Sequence, residues 1–300
     1  MTSNYNKKID FIGIGAAKSA TSWIYQCLIE HPEICGSSKK EIHYFDRIQN
    51  YQKGINYYLS FFKHCPKKSI KGEFTPGYIF NLYIPKIIHK HFPDIKIIAC
   101  LRDPTDRLHS LYKYHVNMGY KYSIYKSFES VIEKEPEFVK TGFYYRQLRE
   151  YYKIFPKENI LILIYEDLLR EPKENLKKIY KFLNLKEVDF VPPSIEKKLN
   201  ITGTKIMKNK IPLIRIIKFK VNKYLESFQS TKIFLRRIKF DKIVNKFMIL
   251  NSYQIKVDSN KKSQTLQNLK EDVRKYLKRV YREDIEKLEV LINRDLSQWK

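Results

Sequence analysis

The chain has 300 residues, of which 43% are hydrophobic and 14% aromatic, which is typical of a folded globular protein and excludes a disordered one. The formal net charge of +26 would suit a negatively charged partner, yet the lysines are spread along the whole sequence and compositional bias accounts for most of the excess. No apolar run is long enough to predict a membrane-spanning helix, and the polar start MTSNYNKKIDFIGIG contains no signal-peptide core.

Strand-like and helix-like patterns alternate along the chain. Short apolar runs predict strands over 9–14, 69–74, 95–101 and 159–165. Apolar residues at helical spacing predict helices over 21–30, 82–92, the stretch after RDP as far as 114, 143–155, 172–183 and 264–299. This order predicts a three-layer α/β fold, in which helices flank a central parallel sheet and extra helices follow towards the C-terminal end. Ligands of such sheets bind at the carboxyl ends of the strands.

We predict a single domain, 1–300, with a helical insertion at about 205–255. Within that insertion, the stretch 211–250 alternates apolar triplets with Lys and Arg, as in PLIRIIKFK and KIFLRRIKF. Such amphipathic helices are expected to pack on the main domain, and peripheral contact with a membrane surface is the second possibility.

The four cysteines, Cys27, Cys35, Cys65 and Cys100, form no CxxC pair and no metal-binding spacing. We therefore expect reduced thiols and a cytoplasmic setting. Cys100 lies within the apolar run IKIIACL, which predicts a small residue buried in the core.

The segment FIGIGAAKSATSWIYQCL, residues 11–28, predicts a strand, a tight loop of small residues and a helix. The N-terminus of a helix presents unpaired N–H groups and partial positive charge, so an anion can bind there, and Lys18 adds a full charge. An ordinary turn with a solvated lysine is the less favoured interpretation. The predicted phosphate-binding residues of this P-loop-like fold are Gly15, Ala17, Lys18, Ser19, Ala20, Thr21 and Ser22.

The loop differs from the G-x-x-x-x-G-K-[ST] motif of nucleotide triphosphatases. Ile12 and Ala17 stand where that motif has its two glycines. The acidic pair Glu166 and Asp167, after the strand NILILIY, is a weak substitute for a Mg²⁺-binding carboxylate. A P-loop-like kinase or NTPase is therefore the alternative enzyme.

A second cluster lies in IIACLRDPTDRLHSLY, residues 97–112. Arg102 stands at the end of a predicted buried strand, and Ser110 lies on the following helix, so the two could grip one phosphate from two sides. Alternatively, Arg102 forms a structural ion pair with Asp103 or Asp106.

A third cluster, KKEIHYFD, covers residues 39–46. In an extended segment Glu41 and His43 would share a face, and a carboxylate near the lysine-bearing loop could take a proton from an attacking hydroxyl. Alternatively, the segment is a solvated charged loop in which His43 packs against Tyr44 or Phe45.

Together and in this order, the three clusters resemble the sulfotransferases that use 3′-phosphoadenosine 5′-phosphosulfate (PAPS), in particular the carbohydrate, heparan-sulfate-type branch and its bacterial relatives. Three further segments are similar to the same family: YEDLLREPKENLKKIYKFLNL, NITGTK and YREDIEKLEVLINRDLSQW. The resemblance implies transfer of a sulfuryl group from PAPS to a hydroxyl or amine, with a carbohydrate or glycolipid as the expected acceptor. It requires no metal and no nucleic acid partner. A basic protein that binds nucleic acid or a membrane surface is the non-enzymatic alternative.

The resemblance also implies roles for single residues. Glu41 would be the catalytic base, and Lys18 would stabilise the leaving group. His43 would orient the acceptor or act as a second acid or base. The donor nucleotide would be held by Thr21 and Ser22 at the 5′-phosphate, Arg102 and Ser110 at the 3′-phosphate, Tyr165 near adenine and Lys261 and Lys262 as a lid. One departure concerns GEFTPGY, where Phe74 stands at the position of a family lysine that serves the active site in the heparan-sulfate branch.

Overall fold

The computed structural model describes residues 9–197, 205–209, 252–256 and 268–300. Five strands of this part form one parallel sheet: β1 (Phe11–Gly15), β2 (Ile34–Gly36), β3 (Ile70–Phe74), β4 (Lys96–Leu101) and β5 (Ile160–Ile164). Their spatial order is β2-β3-β1-β4-β5, so β1 occupies the centre. The predicted parallel sheet is confirmed. Strand β2 escaped prediction because its three residues are too few to show a pattern.

The described helices are α1 (Thr21–Ile29), α2 (Ile48–Tyr51), α3 (Ile55–Leu59), α4 (Ile84–His91), α5 (Pro104–Met118), α6 (Phe128–Lys134), α7 (Pro136–Lys140), α8 (Tyr144–Tyr152), α9 (Tyr165–Arg170), α10 (Pro172–Phe182) and α11 (Glu271–Ile292). Helices α1, α4, α5, α8, α10 and α11 lie close to predicted positions, whereas the short helices α2, α3, α6, α7 and α9 were not predicted. The last helix ends before the predicted residue 299, because Asn293 adopts a φ of 51°. None of the described helices is both long and apolar enough to cross a membrane.

The chain divides into two compact units. Unit 1 comprises Met1–Leu108, Glu137–Asn200 and Glu271–Lys300, and unit 2 comprises His109–Pro136 and Ile201–Lys270. The parallel sheet belongs to unit 1. In unit 2, strands β6 (Lys205–Asn209) and β7 (Ser252–Lys256) pair antiparallel at the two ends of the predicted helical insertion, 205–255. The amphipathic stretch 211–250 lies outside the described residues, and the single-domain organisation stays a prediction.

The core of unit 1 forms where α1 and α10 pack on one face of the sheet. Phe11 of β1, Ile98 of β4 and Leu163 of β5 are almost fully buried there with apolar residues of both helices. Cys100 belongs to the same cluster and has no exposed surface, as predicted. From Ile97 onwards β4 is buried at every residue, which explains why its sequence reads as a continuous apolar run.

Helix α11 covers and caps α8. The ring of Tyr281 lies 5.3 Å from that of Phe143, between centroids. The Asp284 carboxylate accepts hydrogen bonds from the backbone N–H groups of Tyr145 (2.9 Å) and Arg146 (3.3 Å). N–H groups in the first turn of a helix have no partners within it, so this contact fixes the start of α8.

Candidate active site

The carboxyl ends of the five sheet strands meet at one edge, because all these strands are parallel. Predicted site residues follow four of the strands at that edge: Lys18 after β1, Glu41 after β2, Arg102 after β4 and Tyr165 after β5. Strand β1 lies where the strand order reverses, since β3 and β4 flank it on opposite sides. Open parallel sheets bind ligands at such an edge, so the fold brings these residues to the expected place.

The loop between β1 and α1, residues 16–20, is called the phosphate loop below. It enters the helix through two residues in the left-handed backbone conformation. Lys18 has a φ of 73° and Ala20 has a φ of 58°. The first N–H groups of α1 have no partners within the helix, and the positive end of the helix dipole lies at this loop. Burial and the nearby Arg102 guanidinium lower the pKa of Lys18 to about 8. These features favour an anion site over the alternative of a turn with a solvated lysine.

The other predicted loop residues differ in what they can offer a ligand. Gly15 has a packing role, because a Cβ there would lie 2.6 Å from Cγ2 of Ile79. Ser19 is fully buried, and its Oγ has no hydrogen-bond partner among the residues that the structure describes. Thr21 is almost fully buried at the first position of α1, and Ala17 is half-buried. A buried hydroxyl of this kind beside a helix N-terminus suits a phosphate oxygen as acceptor.

Arg102 contacts both the phosphate loop and the end of β5. Its guanidinium donates to the carbonyl oxygen of Lys18 at 3.4 Å and lies 4.6 Å from the ring centroid of Tyr165. The hydroxyl of buried Tyr144, at the start of α8, donates to the Arg102 carbonyl at 3.0 Å. The Tyr165 ring therefore supports the arginine by a cation–π contact.

The alternative ion pairs of Arg102 are replaced by other contacts. Asp106 accepts a hydrogen bond from Arg274 at 2.8 Å. Asp103 accepts from the backbone N–H groups of Thr105 (2.7 Å) and Asp106 (3.1 Å) at the start of α5. Both carboxylates have these other partners, and neither forms an ion pair with Arg102.

The two carboxylates that follow β5 make structural contacts. Glu166 accepts a hydrogen bond from the backbone N–H of Asp103 at 3.1 Å. Asp167 accepts from Arg170 at 2.9 Å and from Arg294 at 2.8 Å. Both carboxylates are thus used in hydrogen bonds within the protein. This weakens the case for a Mg²⁺-dependent nucleotide triphosphatase, which would need such a carboxylate to bind its metal.

Three further residues were predicted to contact the nucleotide: Ser110, Lys261 and Lys262. Ser110 is half-buried on α5 and belongs to unit 2, so its role stays a prediction. Lys261 and Lys262 lie outside the described residues, and the predicted lid stays a prediction as well.

A charged triad occupies the segment after β2. The His43 ring lies between two carboxylates, with Nδ1 2.8 Å from Asp46 Oδ2 and Nε2 3.2 Å from Glu41 Oε2. The hydrogen bonds to Asp46 and Glu41 raise the pKa of His43 to about 9, so the ring is an imidazolium at neutral pH. Burial would raise the pKa of Glu41, but His43 and Lys40 outweigh it and lower that pKa. Glu41 is therefore held in the ionised form that a base requires.

The expectation of an extended segment is wrong at its middle residue. His43 adopts a φ of 55°, in the left-handed region, and so departs from strand geometry. Glu41 and His43 still meet, because the bend turns the imidazole towards both neighbouring carboxylates. With both ring nitrogens donating to carboxylates, His43 fixes the position of Glu41 and is not itself a free base.

Lys40 is a site residue that the sequence analysis missed. Its Nζ donates to Ser22 Oγ in α1 at 3.1 Å and lies 3.6 Å from Glu41 Oε1. The lysine thus links the start of the phosphate-loop helix to the carboxylate of the predicted base. The available signal was its position directly before Glu41 in KKEIHYFD, but most lysine pairs are solvated.

A buried carboxyl at the end of β3 supports the backbone of the triad. Glu73 has no exposed surface and accepts hydrogen bonds from Thr75 Oγ1 (2.6 Å) and Tyr78 Oη (2.9 Å). The same two hydroxyls accept from the backbone N–H groups of His43 (3.4 Å) and Tyr44 (3.0 Å). Burial raises the pKa of Glu73 to about 7, against the opposing effect of these hydrogen bonds. We call Glu73, Thr75 and Tyr78 the Glu73 network.

Phe74 is a core residue. Its side chain has no exposed surface, and its ring centroid lies 6.5 Å from that of Phe11 and 6.2 Å from that of Tyr25. The position where the resemblance expects an active-site lysine therefore contributes packing and no charge.

Cys35 and Cys65 form a disulfide, contrary to the expectation of four reduced thiols. The bond joins β2 to the loop before β3 and closes a ring that contains the triad. Nε2 of His64 lies 3.5 Å from Cys35 Sγ, but both sulfurs are committed to the disulfide. Cys27 and Cys100 are free and buried. The pairing bridges thirty positions and could not be recognised from spacing alone.

The sequence model of the sulfotransferase domain family matches residues 8–210, a span that includes the phosphate loop, the triad and Arg102. The chain belongs to this sulfotransferase family. The predicted family resemblance is thereby confirmed.

Two curated sulfotransferases are similar in sequence to this chain. The chain is 31% identical over 181 residues to heparan sulfate glucosamine 3-O-sulfotransferase 5 of Mus musculus. The alignment covers 57% of this chain and 52% of that relative. It is 34% identical over 140 residues to the membrane-associated sulfotransferase kil1 of Dictyostelium discoideum. That alignment covers 44% of this chain and 29% of that relative. The chain thus spans about half the length of the first of these curated relatives and less of the second.

The fold is also that of a solved sulfotransferase. The crystal structure of a sulfotransferase from Alicyclobacillus acidocaldarius superposes with a TM-score of 0.66 at 22% identity. The match covers 97% of this chain and 98% of that one, which supports the predicted fold class.

Proposed function

We propose that this protein transfers a sulfuryl group from PAPS to a hydroxyl or amine of a carbohydrate or glycolipid. Membership of the sulfotransferase family supports the reaction type, and the names of the heparan sulfate relatives support the acceptor class. The observation that carries the proposal is the short path from phosphate loop to base. A single side chain, that of Lys40, is long enough to span this path: its Nζ lies 3.1 Å from Ser22 Oγ and 3.6 Å from Glu41 Oε1. An acceptor hydroxyl beside Glu41 would therefore lie next to a donor held by the loop.

The sheet edge supplies the groups that the donor nucleotide needs. Lys18 and the N–H groups of α1 would bind the 5′-phosphosulfate, with the hydroxyls of Ser19, Thr21 and Ser22 as further hydrogen-bond donors. Arg102, supported by the Tyr165 ring, would bind the 3′-phosphate. Lys18 and Arg102 would balance the negative charge of the nucleotide phosphates directly, and the proposed transfer uses no metal.

The transfer step needs one base and one stabilised leaving group. The ionised Glu41 takes the proton of the acceptor hydroxyl, and the oxygen forms a bond to the donor sulfur. The bond between sulfur and the 5′-phosphate oxygen breaks, and the negative charge stays on the leaving bisphosphate. Lys18 and the loop N–H groups stabilise that charge where it develops. His43, held by Asp46, keeps Glu41 in place during the transfer.

A thermal-shift comparison tests this function. Adenosine 3′,5′-bisphosphate should raise the melting temperature more than ADP with Mg²⁺, because a ligand stabilises the folded form that binds it. Arg102→Ala should remove the preference for the bisphosphate, whereas Arg279→Ala, an exposed arginine of α11, should leave it unchanged. Equal or greater stabilisation by ADP with Mg²⁺ would favour the kinase or NTPase alternative.

A further inference from the structure

We infer that Lys40 binds the sulfuryl group of the donor and acts as a catalytic residue. The inference rests on the proposed function, since it needs PAPS to occupy the phosphate loop. It concerns a residue that the sequence analysis did not place in the site.

The position of Lys40 is the first argument. In an in-line transfer the sulfuryl group lies between the leaving phosphate and the attacking acceptor oxygen. The phosphate loop marks one end of that line and Glu41 marks the other. The Nζ of Lys40 reaches both ends, at 3.1 Å from Ser22 Oγ and 3.6 Å from Glu41 Oε1. Its ammonium therefore lies beside the path of the sulfuryl oxygens during transfer.

The charge balance of Lys40 is the second argument. Its side chain is only 23% exposed, and burial lowers its pKa, with Glu41 opposing that effect. Glu41 also pairs with His43 at 3.2 Å, so its negative charge is shared between two cations. The other close partner, the Ser22 hydroxyl, is neutral. A partly buried ammonium with these neighbours gains a stronger partner when an anionic sulfuryl group arrives.

The surroundings of Lys40 give the third argument. Its Nζ lies 5.9 Å from the ring centroid of Tyr25, which also contacts Phe74 at 6.2 Å. The Tyr25 hydroxyl donates to the Ser37 carbonyl at 3.0 Å, and this bond fixes the ring. Lys40 thus brings a positive charge to the neighbourhood of position 74, where the side chain is apolar.

The test separates the sulfuryl group from the rest of the nucleotide. PAPS and adenosine 3′,5′-bisphosphate differ by that group alone, so their dissociation constants are compared for the wild type, Lys40→Ala and Lys40→Gln. We expect both variants to bind PAPS about tenfold more weakly and the bisphosphate within about twofold of the wild type, since a charged hydrogen bond is lost only with PAPS. Lys39→Ala, which removes the same charge from an exposed neighbour, should change neither constant.

A turnover measurement completes the test. With labelled PAPS and heparan sulfate oligosaccharides as the probe acceptor, both Lys40 variants should lose more in turnover than in PAPS affinity, because charge on the sulfuryl oxygens shifts during transfer. Equal weakening of PAPS and bisphosphate binding, or unchanged PAPS affinity and turnover, would overturn the inference. Lys40→Gln removes the charge but keeps part of the aliphatic stem and a polar end, and so serves if the alanine variant folds poorly. A wild type that binds neither nucleotide would instead refute the proposed function.

Discussion

The two halves of the candidate site are built in different ways. The phosphate loop and α1 form a local unit, in which a strand end, two left-handed residues and a helix N-terminus follow each other within fifteen positions. The triad of Glu41, His43 and Asp46 has no regular secondary structure of its own. The Glu73 network and the Cys35–Cys65 bond hold it from outside. Local sequence thus specifies the proposed anion site, whereas distant contacts place the proposed base.

The half of the site formed by the phosphate loop and α1 is proposed to bind the donor, and its function should depend most on Lys18. We expect Lys18→Ala to lower turnover of labelled PAPS by a factor of a hundred or more, roughly the loss seen when one preorganised charge is removed. Affinity for the bisphosphate should fall in the same variant, because Lys18 acts on the nucleotide itself. Exposed Lys39→Ala is the control for net charge. Turnover within about tenfold of the wild type would show that the helix N-terminus alone suffices.

The triad of Glu41, His43 and Asp46 forms the acceptor half of the site. Substitutions there should change the turnover rate and leave the affinity for the donor nucleotide unchanged. Glu41→Gln removes the base and is expected to lower turnover about a hundredfold, while calorimetry gives an unchanged dissociation constant for the bisphosphate. Glu174→Gln, an exposed carboxyl of α10, should leave both quantities unchanged. A large loss of bisphosphate affinity in Glu41→Gln would mean that the two halves are not separable.

The Glu73 network should make stability depend on pH. The pKa of Glu73 is raised from 4.5 to about 7 in the folded chain, so between these values the folded state binds more protons than the unfolded one. The free energy of unfolding therefore falls as pH rises, by about 2 kcal/mol from pH 5 to pH 7 for this group. Urea unfolding of Glu73→Gln should lack this contribution. An identical pH profile in wild type and variant would rule it out.

Donor binding should weaken in mild alkali. Lys18, whose pKa is about 8, is charged below that pH and loses its proton above it. The dissociation constant for the bisphosphate should therefore rise about tenfold from pH 7 to pH 9, since the nucleotide phosphates are already mostly dianionic at pH 7. In Lys18→Ala the same titration should be flat. A flat wild-type profile would show that Lys18 does not contact the bound nucleotide.

The sequence was informative wherever one short stretch carried the whole signal. The apolar runs that became β1 and β4 are buried strands, the run that became β5 is a partly buried one, and the small residues before α1 mark the predicted phosphate loop. Arg102 could be found because it directly follows a strand of this kind. In each case, neighbours in the chain determine the structure.

The remaining features arise from residues that are distant in the chain. The left-handed backbone at His43, the buried Glu73 and the link from Lys40 to Ser22 all depend on how β2, β3 and α1 pack together. The Cys35–Cys65 pairing has the same origin. No periodicity or spacing in the sequence encodes these contacts.

The Cys35–Cys65 bond has a practical consequence for work on this protein. Dithiothreitol added during purification would open the only covalent cross-link among the described residues, and thereby release the ends of the thirty-residue loop around Glu41. The proposed nucleotide-binding loop lies outside this ring, so opening the disulfide would leave its connections unchanged. Acceptor screens run with and without the reductant would therefore sample two chemically distinct forms of the protein, which titrations with the bisphosphate would not distinguish.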